Sequence, residues 1–445
     1  MRKTANSALR FKQFNSYLKP LGKNLAVLYN QPMSILIKNA ILNNKKQDIL
    51  IEDNFITKIA DFIDVKADEL IDCHQEKAIM PGLYNMHTHS AMSLLRGYAD
   101  DMELMDWLQN KIWPQEAKFS QDDIYWGSKL AMLEMIKTGT LFFNDMYFFP
   151  EATVKAVKEM GMRALIGLVI FDGSEQSNPK MAEARLAEFK KQNLQTIQFC
   201  IAPHAIYTVG KESLLWCKQF AQANNLLIHT HLSETKKEVD DCLAQNNLRP
   251  AHYLDSLGLL GENTILAHSV WLDASEKKLL GAKKCSVVNN PVSNLKLVSN
   301  EIFDYQGLKD SGANILLGTD GASSNNNLDL VEEMKFACVM QKHKQQNAKS
   351  LPAQEVIDMA TINGAKAVRI NGGEIKEGKL ADFILIDLND VSLIPGFNLA
   401  SDLVYSSNGN CVTDVICNGK IIMRDRMVEG EKEIKEKAKE WAKKI

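Results

Sequence analysis

The chain has 445 residues, 52 basic against 55 acidic side chains, a net charge of −3 and a hydrophobic fraction of 45%, values ordinary for a globular protein large enough for one big domain and a smaller one. Without an excess of positive charge no field draws in nucleic acid or anionic lipid, so a small neutral molecule is the expected partner and neither nucleic acid nor membrane is. The eight cysteines are scattered without a C-x-x-C pair, which suggests neither a zinc knuckle nor a disulfide framework and fits reduced thiols in the cytoplasm.

Residues 1–32 carry several lysines and arginines but no uninterrupted apolar run, which argues against a secretory signal, and they are expected to form an N-terminal extension outside the fold. No later stretch could span a membrane. From Met33 onward short alternating strands follow, Ile35 to Ile37, Asp48 to Glu52 and Phe55 to Ala60, separated by Asn, Lys and Asp turns. A similar pattern returns at Ala381 to Asp387 and at Val412 to Cys417, the latter followed by an Asn418-Gly419 turn and Lys420 to Met423. Residues 33–79 and 372–430 are therefore expected to build one small β-sandwich domain from both chain ends, with residues 431–445 a charge-rich helix that serves as a solvated or docking face.

Between these ends, apolar runs alternate with amphipathic helical stretches. The runs are Ala78 to His89, Thr140 to Asp145, Arg163 to Phe171, Thr196 to Ala202, Leu226 to His231, Thr264 to His268, Cys285 to Asn290 and Asn314 to Asp320. Strand then helix, repeated eight times, predicts an α/β fold, a (β/α)8 TIM barrel over residues 80–371. An open doubly wound sheet would use the same elements, but no G-x-G-x-x-G follows the first strand.

His87 and His89, His231, His268 and Asp320 fall at the C-terminal tips of the first, fifth, sixth and eighth predicted strands, the edge where barrel sites form. Residues two apart share one face of a strand, so His87 and His89 can clamp one ion together. Imidazoles with a carboxylate are the donor set preferred by Zn²⁺, although Fe²⁺ or Mn²⁺ accept it too.

Pro81 to His89, His229 to Glu234 and Leu317 to Gly321 resemble three motifs of the amidohydrolase superfamily. Within it the chain is similar to the 5-methylthioadenosine/S-adenosylhomocysteine deaminase branch through Trp113 to Glu116, Pro203 to Thr208 and Asn290 to Leu297. The resemblance implies that His87, His89, His231 and Asp320 hold one divalent metal ion, while Glu234 and His268 serve the water and the purine. Glu234 is the expected proton shuttle, Asp320 orients or deprotonates the water, and His268 stabilises the hydroxide and the tetrahedral intermediate. Glu116 and His204 are expected to contact the nucleoside, Glu116 through its ribose hydroxyls. The bland readings are that Glu234 caps the following helix, that His204 is a packed loop residue and that His229 supports the barrel interior.

The fourth predicted strand ends in Ala202-Pro203-His204 and offers no lysine to bridge two ions. A P-C-x-x-C deaminase site is absent. The branch often places an arginine near the third strand, where this chain reads Ala164 to Val169; Arg185 is either a substitute contact or a solvated helix residue. The expected activity is hydrolysis of a 5'-substituted adenosine to its inosine derivative and ammonia. Its rivals are an amidohydrolase of another amino- or chloro-heterocycle, such as guanine, a pterin or a triazine, and a silent metal and nucleoside binder. A homo-oligomer is allowed by the sequence but not specified by it. A chain beginning at Met33 is expected to keep its activity, and loss of turnover on that truncation would refute the separate extension.

Overall fold

The computed structural model describes residues 34–443; the extension expected over residues 1–32 lies outside them. The first five strands are β1 (Ser34–Leu42), β2 (Lys45–Glu52), β3 (Phe55–Ala60), β4 (Glu69–Asp72) and β5 (Lys77–Pro81). Period-two spacing puts Ile35, Ile37, Ile49 and Ile51 on the buried side. Strand β1 changes partner along its length, pairing β4 from Ile35 to Lys38 and β5 at Ile41, with a register break between Ile37 and Ala40.

Eight strands then run in sequential order: β6 (Leu83–Thr88), β7 (Thr140–Asp145), β8 (Arg163–Ile170), β9 (Ile197–Pro203), β10 (Leu227–Leu232), β11 (Thr264–His268), β12 (Ser286–Asn289) and β13 (Asn314–Leu317). All neighbouring pairs are parallel, and β6, β7, β8, β10, β11 and β12 are buried along their whole length, as expected for a sheet covered by helices. The helix Gln121–Lys137 opens with a capping box between Ser120 and Asp123. Proline stands in the first turn of Pro150–Met160, Pro179–Phe189 and Pro291–Lys296, where a missing N–H costs no intrahelical bond.

The run expected as one strand from Ala78 to His89 is divided at Gly82. The Gly82 N–H bonds Asp382 O in the small sheet at 3.2 Å, and the next N–H, of Leu83, bonds Gly139 O at 2.9 Å. A continuous apolar run does not show where a chain passes from one sheet to another. The barrel seam closes where Asp320 N–H donates to His87 O at 3.0 Å, and the Asn85 amide bonds both Thr319 N–H and Thr319 Oγ1, at 3.1 and 2.7 Å. A side chain on Gly318 would meet His87 N at 2.9 Å, so glycine is required for this approach.

Strands β14 (Phe383–Asp387), β15 (Val412–Cys417) and β16 (Lys420–Met423) complete the small sheet, ordered β16-β15-β14-β5-β1-β2-β3 with β4 beside β1. Both chain ends thus share one mixed sheet with its own apolar core, including Ile35, Ile37, Phe383, Leu385 and Ile416. The helix Glu431–Ala442 docks on the barrel through buried Ile434 and Trp441, the latter edge-on to Phe119 at 5.3 Å.

A buried ion pair fastens the two units. Arg163 of β8 reaches Asp382 and the Asn418 side chain, both at 2.7 Å, and Asp382 also accepts Asn418 N–H at 2.6 Å. Removing one partner leaves an uncompensated buried charge, which costs about 3–5 kcal/mol. Arg163→Ala is therefore expected to lower the denaturant midpoint strongly, and joint replacement by Arg163→Met and Asp382→Leu to recover most of the loss.

Candidate active site

The C-terminal rim of the barrel receives every polar residue that the strand count placed there. His87 lies on β6 and His89 one residue beyond it, His231 lies on β10, His268 ends β11 and Asp320 follows β13 by three residues. Ser233, His268 and Asp320 adopt left-handed backbone conformations, with φ of 47°, 67° and 64°. Each costs roughly 1–2 kcal/mol for a residue with a Cβ, a strain that collects at functional sites.

Hydrogen bonds fix the proton on each imidazole. A carbonyl oxygen only accepts, so His89 Nδ1 carries a proton for Met146 O at 2.6 Å and His231 Nδ1 carries one for His204 O at 2.7 Å. His229 Nδ1 likewise donates to Ile265 O at 3.2 Å, which leaves His229 Nε2 to accept from His87 Nδ1 at 2.9 Å. His268 Nδ1 lies between Asn294 Oδ1 at 2.8 Å and the Asn290 amide nitrogen at 3.3 Å, and the nearer oxygen takes its proton. In the neutral rings of His87, His89, His231 and His268 this leaves the Nε2 lone pair turned to the site, whereas that of His229 is taken by His87.

Those lone pairs meet a carboxylate rather than donors. His87 Nε2 and His89 Nε2 lie 3.4 and 3.3 Å from Asp320 Oδ1, and His231 Nε2 lies 3.4 Å from His89 Nε2. Ligand atoms placed tetrahedrally about 2 Å from one ion stand about 3.3 Å apart. His87 Nε2 is fully buried and has no hydrogen-bond partner. Neutral imidazoles turned on a carboxylate at this spacing offer their lone pairs to one shared cation, so the residues present fit a divalent metal. Burial takes His87 down to about 4 and keeps His229 and His231 well below the ordinary histidine value, in the neutral form that ligation requires. At His89 burial also pulls down, but the hydrogen bond and charge of Asp320 prevail and raise it to about 9.

Beside this cluster opens a cavity lined by His204, Glu116, Glu234 and largely apolar side chains. Glu116 comes from the segment Leu104–Glu116, which contains a π turn over Leu108–Ile112. In an α-helix five residues pass well beyond one turn of 3.6; the wider turn, closed by Trp113 N–H on Leu108 O, lets Leu108 and Trp113 face the same cavity. Glu116 is held by Tyr147, whose hydroxyl donates at 2.6 Å, and burial raises its pKa to about 7. Burial also raises that of Glu234, whose carboxylate lies 3.9 Å from His268 Nδ1 and takes no protein hydrogen bond among the described residues. Thr235, not Glu234, caps the following helix.

A family model for the amidohydrolase family matches residues 78–422. The chain belongs to the amidohydrolase family. It is 48% identical to a 5'-deoxyadenosine deaminase of Methanoregula boonei over 80% of this chain and 81% of the relative. It is 44% identical to 5-methylthioadenosine/S-adenosylhomocysteine deaminase 1 of Archaeoglobus fulgidus over 92% and 99%. Among solved structures, a zinc-bound adenosine deaminase from Xanthomonas campestris superposes with a TM-score of 0.87 at 31% identity, covering 92% of this chain and 98% of that one.

One expected site residue of this amidohydrolase lies elsewhere. Arg185 is neither at the cavity nor solvated: it is 3% exposed, and its guanidinium bonds Glu151 at 2.7 Å and the Gln176 carbonyl at 2.5 Å. Its helix pattern gave no sign of that buried acid. Conversely, Asn290 to Leu297 carried a resemblance but no role. Ser293 and Ser324 donate to Asp320 Oδ2 at 2.6 and 3.2 Å, leaving Oδ1 toward the histidines, and Asn294 sets the His268 proton. His229, read as interior support, orients His87; its signal was the shared face of an H-x-H pair. His231→Ala is expected to reduce bound divalent metal well below one equivalent per chain, as measured by elemental analysis after dialysis, whereas Arg185→Ala leaves metal content unchanged.

Proposed function

We propose that this amidohydrolase removes the 6-amino group of 5'-substituted adenosines by hydrolysis, giving the inosine derivative and ammonia. The observation that carries this reading is the placement of Glu234, pushed toward its protonated form by burial, beside the convergent imidazoles and Asp320 on the wall of a cavity that Glu116 also lines. The relatives named for 5'-deoxyadenosine and methylthioadenosine deamination support it.

In the proposed mechanism His87, His89, His231 and Asp320 hold one divalent ion, with zinc favoured by the nitrogen-rich set and Fe²⁺ or Mn²⁺ the alternatives. When bound, the ion supplies a water acidified to a pKa of about 7. Asp320 Oδ1 receives the water proton while Ser293 and Ser324 hold Oδ2. His268 Nε2 faces the attacking oxygen and stabilises the tetrahedral carbon's new hydroxyl. Glu234 in its protonated form donates to the ring nitrogen as C6 is attacked; its carboxylate then takes the proton of the new hydroxyl while the proton held by Asp320 passes to the departing amine, so that ammonia leaves and both carboxyl groups return to their starting states. Glu116 accepts from the ribose hydroxyls, with one oxygen steadied by Tyr147.

The cavity wall also supports a choice of 5' group. Trp107, Leu108, Trp113, Phe148, Phe171 and Leu297 line it, and no lysine or arginine does so among the described residues. A zwitterionic homocysteine tail would lose water there without gaining a counter-charge, whereas a methyl or methylthio group loses nothing. Metal-replete protein is expected to convert 5'-deoxyadenosine and methylthioadenosine with a kcat/KM at least about tenfold above that for S-adenosylhomocysteine, a penalty of about 1.4 kcal/mol, followed by loss of adenine absorbance and release of ammonia. No turnover of any adenosine would sink the reading. Glu116→Ala is expected to depress nucleoside turnover; turnover of bare guanine, a pterin or a triazine at higher rates than any nucleoside would favour a different heterocycle.

A further inference from the structure

We propose that Glu238, which lies outside the cavity wall, is a positioning residue for Glu234; the inference rests on the proton-shuttle role given to Glu234 above. The turn joining β10 to the helix Lys236–Asn246 contains Ser233 in its left-handed conformation, followed by Glu234. The helix already has its cap, since Thr235 Oγ1 accepts Glu238 N–H at 3.2 Å. The Glu238 side chain is therefore free to fold back, and it does so: one carboxylate oxygen accepts Ser233 N–H at 2.8 Å and the other accepts Glu234 N–H at 2.9 Å.

On its other edge the same turn is held by the chain that follows His268. Val270 N–H and Trp271 N–H both donate to Ser233 O, at 3.1 and 2.9 Å, and Ser269 N–H donates to Leu232 O at 2.8 Å. The peptide leading into Glu234 is thus gripped from two sides, one of them the loop of a second site residue. Glu234 itself receives no protein hydrogen bond on its carboxylate among the described residues, so its aim depends on this backbone grip. Only a carboxylate offers acceptors at both ends with no donor. An amide would turn an NH₂ group toward one of the two N–H groups. Glu238 is 4% exposed, and placing a carboxylate where water cannot reach it is costly unless such bonds compensate.

The test uses full-length, metal-loaded protein. Glu238→Gln is expected to lower kcat about 10- to 100-fold, the cost of a small misplacement of a reacting group, with KM within about threefold and with metal content and melting temperature close to the parent. Added to Glu234→Gln, the same change is expected to cost less than about twofold more, because residues acting through one group are not additive. Multiplying losses in the double variant, or an unchanged kcat in Glu238→Gln, would overturn the proposal. Amide hydrogen exchange provides a readout independent of turnover: Glu238→Gln is expected to speed exchange in the segment 232–235 and not in β9. Unchanged exchange there overturns the inference even if the parent protein deaminates nothing, an outcome that would separately defeat the functional reading.

Discussion

Where the protons sit on four imidazoles, three of them buried and His89 partly so, governs the rest of this molecule. Each Nδ1 hydrogen is committed to a carbonyl, an amide oxygen or a neighbouring imidazole, so in the neutral ring that ligation requires each Nε2 presents its lone pair to the site. A group of acceptors facing Asp320 at 3.3–3.4 Å is intolerable in a dry interior unless positive charge sits among them. The acceptors that set this pattern are mostly main-chain atoms of adjoining strands or of the loops just past them, such as Met146 O, His204 O and Ile265 O. The barrel is therefore an instrument for distributing hydrogen atoms as much as a scaffold for holding side chains.

That arrangement explains why irregular backbone gathers at the rim. His268 and Asp320 leave their strands in the left-handed region, and the energy this costs is recovered from the surrounding core, where large side chains such as Tyr84, Phe142 and Phe143 are fully enclosed. The small sheet and the terminal helix do not touch the chemistry. They brace the barrel from outside, through Arg163 and Asp382 on one side and Trp441 on the other.

Much of the architecture was legible because buried parallel strands and their covering helices differ in period and length. Thr140 to Asp145 and Thr264 to His268 were readable to the residue, each being an apolar run ending in a polar side chain. The passage at Gly82 was not, since both flanking strands are equally apolar and only hydrogen-bond partners distinguish them. At the site, His87, His89, His231, His268 and Asp320 could be placed on one rim by counting strands. Arg185 could not be placed, because a helix surface position says nothing of an acid, Glu151, presented by the preceding helix. Ser293, Asn294 and Glu238 escaped for a related reason: they act on side chains or amides brought close by folding, and a lone serine, asparagine or glutamate has no spacing that announces it. The π turn at Leu108–Ile112 is likewise a departure from the helical period by which such segments are recognised.

The seam of the barrel carries one more consequence. Asn85 and Thr319 are joined across 234 positions of chain, and the proposed ligands His87, His89 and Asp320 flank that junction. A ribosome must therefore release nearly three quarters of the polypeptide before the cation can bind a complete set of donors. Until then the first two histidines wait on an unfinished arc. An ion held by these residues would be a clasp that only a closed ring can fasten.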